Sequence, residues 1–244
     1  MIWIIGGTSE AVELVNRLAG RMGYIMTAVT ESEREFIKDD NVIIRRLSEA
    51  DMEGFIKENS IGIIVDMSHP YAYEVTDNAK QAAKKCNVKY IRYERSRTED
   101  IEGCIYMHSF SECLEFLKTV EGCVFFTTGS KNIREFESIR GENRFVYRVL
   151  PAAASIRECE DNNAKMKDII ASLGPYSAGF NAAMFREYGA QYVVMKDSGR
   201  QGGTAEKIEA CRKLNIKPVV IGRRDEEGMS SVGDIIRALK QTCE

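Results

Sequence analysis

The chain has 244 residues, 44% of them hydrophobic and 29% charged, and its 34 Lys and Arg against 37 Asp and Glu give a formal net charge of −3. That length allows one or two domains with a sizeable core, and the composition is too apolar for a disordered chain. The near-neutral balance lacks the basic excess of a nucleic-acid binder, and no apolar run approaches the roughly 18 residues of a membrane span, so neither nucleic acid nor membrane is expected as a partner.

The chain opens on Ile2-Trp3-Ile4-Ile5, stopped by Gly6-Gly7. With no basic leader and no cleavage site, this reads as a first strand and not as a signal peptide. A helix is predicted over 9–20, where Val12, Val15 and Leu18–Ala19 recur at spacings of three and four. Strands follow at 25–29, 42–45, 61–66 and 88–92. Acidic helical stretches lie at Glu31–Glu35 and Glu49–Glu58, and an amphipathic one at 71–86. In the second half, strands 104–107, 122–127, 144–149, 191–195 and 217–221 alternate with helical segments 110–119, 178–188, 204–214 and 230–241, and with an acidic stretch at Glu158–Asp161. Continuous apolar runs suit strands buried on both faces, as in a parallel sheet. Strand–helix alternation over the whole length predicts an α/β doubly wound architecture with mainly parallel sheets. These strands are too many for one small nucleotide-binding unit. The polar stretch Arg95-Ser96-Arg97-Thr98-Glu99-Asp100 marks a boundary, so two lobes are expected, 1–97 and 98–244, with a single large sheet as the alternative.

Seven cysteines, at 86, 104, 113, 123, 159, 211 and 243, are odd in number and form no Cys-x-x-Cys. A disulfide framework and a structural zinc site are therefore not expected, and a reducing cytoplasm is. The two histidines, His69 and His108, are too few for a His-rich metal centre, which leaves carboxylate-bound Mg²⁺ as the open alternative.

In open α/β sheets ligands bind beyond the carboxyl ends of the strands. Gly6-Gly7-Thr8-Ser9-Glu10-Ala11 follows the first strand. Glycines let backbone approach a phosphate, and a helix N-terminus capped by Thr8 or Ser9 supplies N–H groups and a positive dipole end. The loop is not a full G-x-G-x-x-G, so a tight turn without a ligand is the competing reading. Glu31 and Arg34, after the second strand, suit a ribose hydroxyl and a 2′-phosphate respectively, which leaves NADH against NADPH open. Asp66-Met67-Ser68-His69-Pro70-Tyr71 gathers Asp66, Ser68 and His69 at one strand mouth, with a helix start expected near Pro70. The alternative there is that Ser68 caps the helix and His69 bonds locally. Thr128-Gly129-Ser130-Lys131 suits an anion site but is no P-loop. Gly174-Pro175-Tyr176-Ser177 precedes a helix carrying Asn181. The loop Lys196-Asp197-Ser198-Gly199 through Thr204 to Lys207, with three glycines, two hydroxyls and several cations, is the most ligand-like of the second half. Tyr192 and Lys196 match a Tyr-x-x-x-Lys dyad, but that dyad needs the ~5–6 Å spacing of a helix face. In a strand four residues span about 13 Å, so the match is set aside.

Basic residues follow strand after strand: Arg45–Arg46, Arg92 with Arg95 and Arg97, Lys131 with Arg134, Arg148, Lys196 with Arg200, and Arg223–Arg224. Any one cluster reads most simply as solvated surface. Their coincidence with strand ends predicts a cleft that focuses positive potential on a small ligand with several negative groups.

These loops, in this order, resemble the precorrin-6A reductase family of corrin-ring biosynthesis. The matching segments are Ile5-Gly6-Gly7-Thr8-Ser9-Glu10-Ala11, Val65-Asp66-Met67-Ser68-His69-Pro70-Tyr71-Ala72, Tyr90-Ile91-Arg92-Tyr93-Glu94-Arg95 and Thr127-Thr128-Gly129-Ser130-Lys131. Arg148-Val149-Leu150-Pro151, Gly174-Pro175-Tyr176-Ser177 with Asn181, and Lys196-Asp197-Ser198-Gly199 complete the set. The family commonly has Ala-Thr in place of Met67-Ser68, and a second Gly or similar in place of Arg200. The resemblance implies two Rossmann-like lobes and reduction of one carbon–carbon double bond of (cobalt-)precorrin-6A by NADPH or NADH. It implies a tetrapyrrole substrate with several carboxylates, which Arg side chains would hold in bidentate pairs, and other corrin-pathway enzymes as partners. On this reading Gly6, Gly7, Thr8, Glu10, Thr128, Gly129 and Lys131 serve the cofactor. Asp66, Ser68, Tyr71, Arg92, Arg148, Tyr176, Ser177, Asn181, Ser198, Gly199 and Thr204 serve the substrate. His69 and Lys196 are the candidates for delivering the ring proton. Two alternatives stay open: another nucleotide-dependent α/β oxidoreductase or transferase, and a non-catalytic NAD(P)-sensing module.

Overall fold

A computed structural model describes residues 1–29, 39–99 and 101–243. The predicted loop 30–34 and the helical stretch Glu31–Glu35 lie outside them. The chain divides into two compact units, one made of Met1–Arg95 with Asp225–Glu244, the other of Ser96–Arg224.

The first unit holds a parallel sheet of β1 (Ile2–Ile5), β2 (Tyr24–Ala28), β3 (Val42–Ile44), β4 (Ile63–Asp66) and β5 (Lys89–Arg92), in the order β3-β2-β1-β4-β5. Around it lie α1 (Ser9–Leu18), α2 (Glu49–Glu58), α3 (Tyr73–Cys86) and α9 (Val232–Cys243). Both faces are covered, and the two-residue period of a strand sorts the core. Ile2 and Ile4 pack with Leu14 and Leu18 of α1, while Trp3 and Ile5 pack with Met52 and Phe55 of α2 and Ala79 and Ala82 of α3. The winding reverses between β1 and β4, so their carboxyl ends form the switch point where α/β sheets bind ligands.

The second unit holds β6 (Ile105–Met107), β7 (Cys123–Phe126), β8 (Arg144–Val149), β9 (Ile169–Ala171), β10 (Tyr192–Lys196) and β11 (Lys217–Ile221). These are parallel in the order β6-β11-β10-β7-β8-β9. Its helices are α4 (Phe110–Leu117), α5 (Ile133–Ser138), α6 (Ala153–Asp161), α7 (Ala178–Glu187) and α8 (Thr204–Lys213). The switch point falls between β7 and β10. None of the described helices is long and apolar enough to cross a membrane.

Two expectations change. The expected boundary at 97/98 falls two residues from where the first unit breaks off, but the chain's last segment, assigned by sequence to the second lobe, belongs to the first unit. Val232, Ile235 and Leu239 form one stripe of α9 and complete the core against α1. An amphipathic helix announces that it will be covered, not by which sheet. The second change is the start of α3. It begins at Tyr73 and not near Pro70, because His69–Ala72 first close a turn through Ala72 N–H donating to the His69 carbonyl at 2.8 Å. The pair Tyr192 and Lys196 lies in β10, as the strand reading required.

Leu239→Ala removes a fully buried side chain from the α1–α9 core. It should destabilise the first unit by about 2–5 kcal/mol, measured by urea denaturation followed at Trp3, which is buried in that unit.

Candidate functional site

At the switch point of the first unit the chain leaves β1 through Gly6 and Gly7. Gly6 is closely packed: a Cβ there would sit 2.2 Å from the Met26 Cε, which would have to shift, and 3.2 Å from the Thr27 carbonyl oxygen. Gly7 has φ +122, a conformation few other residues adopt. A Cβ there would meet nothing within 4 Å, so the backbone lies open to a ligand. Thr8 is buried, and its hydroxyl caps α1 by accepting from Ala11 N–H and donates to the Met67 carbonyl at 2.9 Å. Thr8 thus stitches the β1 loop to the β4 loop. Glu10 is buried and accepts a bidentate pair from Arg95, Nε to Oε1 and Nη2 to Oε2, both 2.6 Å. Burial pushes its pKa up, but the Arg95 hydrogen bonds and charge outweigh that and hold it below the ordinary value.

Asp66, at the end of β4, is fully buried. It accepts from Ser68 N–H (2.9 Å), Thr76 Oγ1 (2.8 Å) and Tyr90 OH (2.7 Å), and pairs with Arg92 Nη1 at 3.1 Å. Arg92 also donates to the Ser68 carbonyl and, through Nε, to Glu226 at 3.1 Å. Asp66, Ser68 and Arg92 therefore shape the β4 mouth, and Ser68 does not cap the helix, whose N-cap is Ala72. His69 stands half-buried on that frame. Its Nδ1 accepts from Tyr71 N–H at 3.3 Å, which assigns the neutral ring's proton to Nε2, and its ring is 5.9 Å from that of Tyr71.

In the second unit the predicted residues separate onto the two faces of the sheet edge. Arg148 shares strand parity with Val146, which packs against Phe185 of α7 and Ile208 of α8. Lys196 shares parity with Val194, which pairs with Phe126, and Phe126 packs on Phe136 of α5. On the α5 face Lys196 Nζ donates to the Thr128 carbonyl at 3.1 Å. Burial, and after it the charge of Lys131, lower the Lys196 pKa to about 8. The buried Thr128 hydroxyl has no hydrogen-bond partner among the described residues, and Gly129, at φ +78, opens onto free space. On the other face Arg148 donates to Asn181 Oδ1 at 2.8 Å and lies over the Tyr176 ring at 5.4 Å. Asn181 in turn donates to the Tyr176 and Ser177 carbonyls, while Ser177 caps α7. Burial lowers the Arg148 pKa to about 10. Ser198, Gly199 and Thr204 fold the loop between them. The Thr204 hydroxyl accepts from Ser198 N–H and donates to the Lys196 carbonyl, both at 3.2 Å, and Gly199 has φ +69.

Lys207, which ends the ligand-like loop read from the sequence, is 5% exposed on the buried face of α8, in step with Thr204, Ile208 and Cys211. Among the described residues no group of His, Cys, Asp and Glu is arranged to hold a metal.

The model of a family described as precorrin-6x reductase CbiJ/CobK matches residues 1–240. The chain belongs to this reductase family. A cobalt-precorrin-6A reductase of Priestia megaterium is 34% identical over 231 residues, covering 91% of this chain and 90% of its own length. The cobalt-precorrin-6A reductase of Salmonella typhimurium is 31% identical over 230 residues, 91% of this chain and 87% of its own. The solved structure of CobK precorrin-6A reductase shares the fold, with a TM-score of 0.77 at 17% identity over 98% of this chain and 96% of that one. Membership makes the chain an oxidoreductase of cobalamin biosynthesis.

The Glu10–Arg95 pair gives a test of the first mouth. Because Glu10 is held below its ordinary value of 4.5, its contribution to stability is complete above that pH and is lost as pH falls through the lowered value. Glu10→Gln should cost about 3–5 kcal/mol at neutral pH by removing the carboxylate that neutralises the buried Arg95. It should also flatten the acid limb of a stability-against-pH series recorded by thermal melts.

Proposed function

We propose that this chain reduces one carbon–carbon double bond of cobalt-precorrin-6A or precorrin-6A, taking a hydride from NADPH or NADH. The observation that carries the reading is the family match along residues 1–240. The relatives at 34% and 31% identity are both named for the cobalt-loaded substrate, which favours that form. A nicotinamide cofactor supplies the hydride when bound. The Gly6–Thr8 turn fits its phosphates: Gly7 leaves open space at a positive φ, and Thr8 caps the α1 N-terminus, whose dipole favours anions.

The chain's own residues divide the remaining work. The Asp66–Arg92–Glu226 network holds the β4 mouth rigid, so that His69 and Tyr71 present a fixed surface. Arg148 offers a guanidinium whose plane is set by Tyr176 and Asn181, suited to a substrate carboxylate. Lys196 carries a proton at neutral pH and releases it readily, because burial beside Lys131 has lowered its pKa to about 8. That is the property required of the acid that protonates the ring carbon next to the hydride acceptor. His69, with its proton on Nε2, is the second candidate for that role. A cytoplasmic setting suits this chemistry, and no disulfide joins the described cysteines.

The test is anaerobic mixing with cobalt-precorrin-6A and with precorrin-6A, following nicotinamide absorbance and the macrocycle spectrum together. Oxidation of NADPH or NADH without a macrocycle change, or no oxidation at all, overturns the reading in favour of another α/β enzyme or a sensing module. Lys196→Met should lower kcat by about 10²-fold or more with a smaller change in KM. The wild-type rate should fall above a pH of about 8 as Lys196 loses its proton. Full turnover by a His69→Ala, Lys196→Met double variant would assign the proton to water.

A further inference from the structure

The α7–α8 face of the second sheet's carboxyl edge holds two cations without a carboxylate partner. Three other arginines have carboxylate partners: Arg92 has Asp66 and Glu226, Arg95 has Glu10, and Arg144 has Asp168. Arg148 makes one hydrogen bond to the amide oxygen of Asn181, a 3.9 Å contact to the Met184 sulfur and a stack on Tyr176, and no ion pair among the described residues. Five N–H donors belong to a guanidinium, so most of its capacity is unused. Lys207 is 95% buried, by its 5% exposure, and forms no hydrogen bond or ion pair among the described residues. Neighbouring Glu206 has a buried Oε2 that is itself without a hydrogen-bond partner among the described residues. The Asp197 carboxylate is engaged by Thr98, accepting from its N–H at 3.1 Å and its hydroxyl at 2.7 Å.

We propose that Arg148 and Lys207, backed by Asn181 and Tyr176, form an oxyanion-binding subsite on this face. The arrangement is prepared for an anion and not for the empty protein. Asn181 is 1% exposed and fixed by two backbone carbonyls, and it braces Arg148 from behind. Tyr176 fixes the guanidinium plane, which leaves its edge for bidentate contact. Exposed Phe180, 4.6 Å from Tyr176 between ring centroids, extends an apolar platform beside the charges. Burial, and after it the charge of Arg148, lower the Lys207 pKa to about 7, so the bare site sheds the second charge it cannot solvate. An arriving oxyanion restores it: Lys207 takes up a proton as the ligand docks. The charges that act on Lys207 are those of Arg148 on β8, Asp197 after β10, and Glu206 and Cys211 on its own helix. None of these carboxylates is bonded to it, which leaves the ligand to supply the counter-charge. The shared chemistry is an oxyanion; its source is either a substrate carboxylate or a dinucleotide phosphate, and that choice rests on the reductase reading above.

The experiment is calorimetric titration of wild type and Lys207→Met with two probes, NADP⁺ and uroporphyrin, a polycarboxylate macrocycle. At a pH of about 8, in two buffers of different ionisation heat, wild type should take up a proton with one probe. Lys207→Met should bind that probe about thirtyfold or more weakly without proton uptake, while its melting temperature rises, because a buried unpaired amine has been replaced by an apolar chain of similar length. Loss confined to NADP⁺ assigns the site to a phosphate, and loss confined to uroporphyrin assigns it to a carboxylate. Equal loss with both, or with neither, overturns the subsite. Arg148→Gln, titrated in parallel, should weaken the same probe, and failure to do so also overturns it. If wild type reduces no precorrin yet these shifts appear, the reductase reading fails and the subsite stands.

Discussion

Every described strand in both sheets runs parallel to its neighbours. In each unit this brings strand carboxyl ends and helix N-termini to one edge, and burial of both faces makes strand parity decisive there. A side chain at a strand end is directed to one helical layer or the other by its position alone. In the second unit that rule divides a list of polar residues close in sequence order into two separate groups, Lys196 with Thr128 and Arg148 with Asn181. The chemistry follows the division. In the proposed reading one group holds and releases a proton, and the other holds an anion.

The two mouths differ in how their charge is balanced. In the first unit each buried cation named has an acid within hydrogen-bond distance, and the result is a rigid scaffold around His69 and the Gly6–Gly7 turn. In the second, the inward cations Arg148 and Lys207 lack such partners. The formal charge of −3 averages over both and over acidic helices, which is why it describes the surface and says nothing of these interiors. Its argument against nucleic acid concerns a partner that needs a broad basic face. It did not exclude a small ligand with several carboxylates.

Much of the fold was legible because the chain states it locally. The runs IWII, IIVD and CVFF have no reading other than a strand buried on both sides once glycine or polar turns close them. β9 was missed because Ile169–Ala171 is three residues long with an exposed end, too short to show a pattern. Among site residues, the glycine turn and the Thr8 cap were readable, since their geometry is set by immediate neighbours. The engagement of Arg92 with Glu226 and of Arg95 with Glu10 was not, because the partners lie 134 and 85 residues apart in the chain. The sequence therefore showed Arg92 and Arg95 as strand-end cations without showing the acids that neutralise them.

The return of α9 to the first unit has a further consequence, for the order in which the protein is made. The second unit is continuous from Ser96 to Arg224, so it can close its core as soon as that stretch has left the ribosome. The first unit is begun earlier but waits for residues 225–243 to supply Ile235, Leu239 and the Glu226 that neutralises Arg92. Until then its α1 face is exposed apolar surface and its β4 mouth carries an arginine lacking one of its two acids. The unit that holds the glycine turn is begun first and completed last.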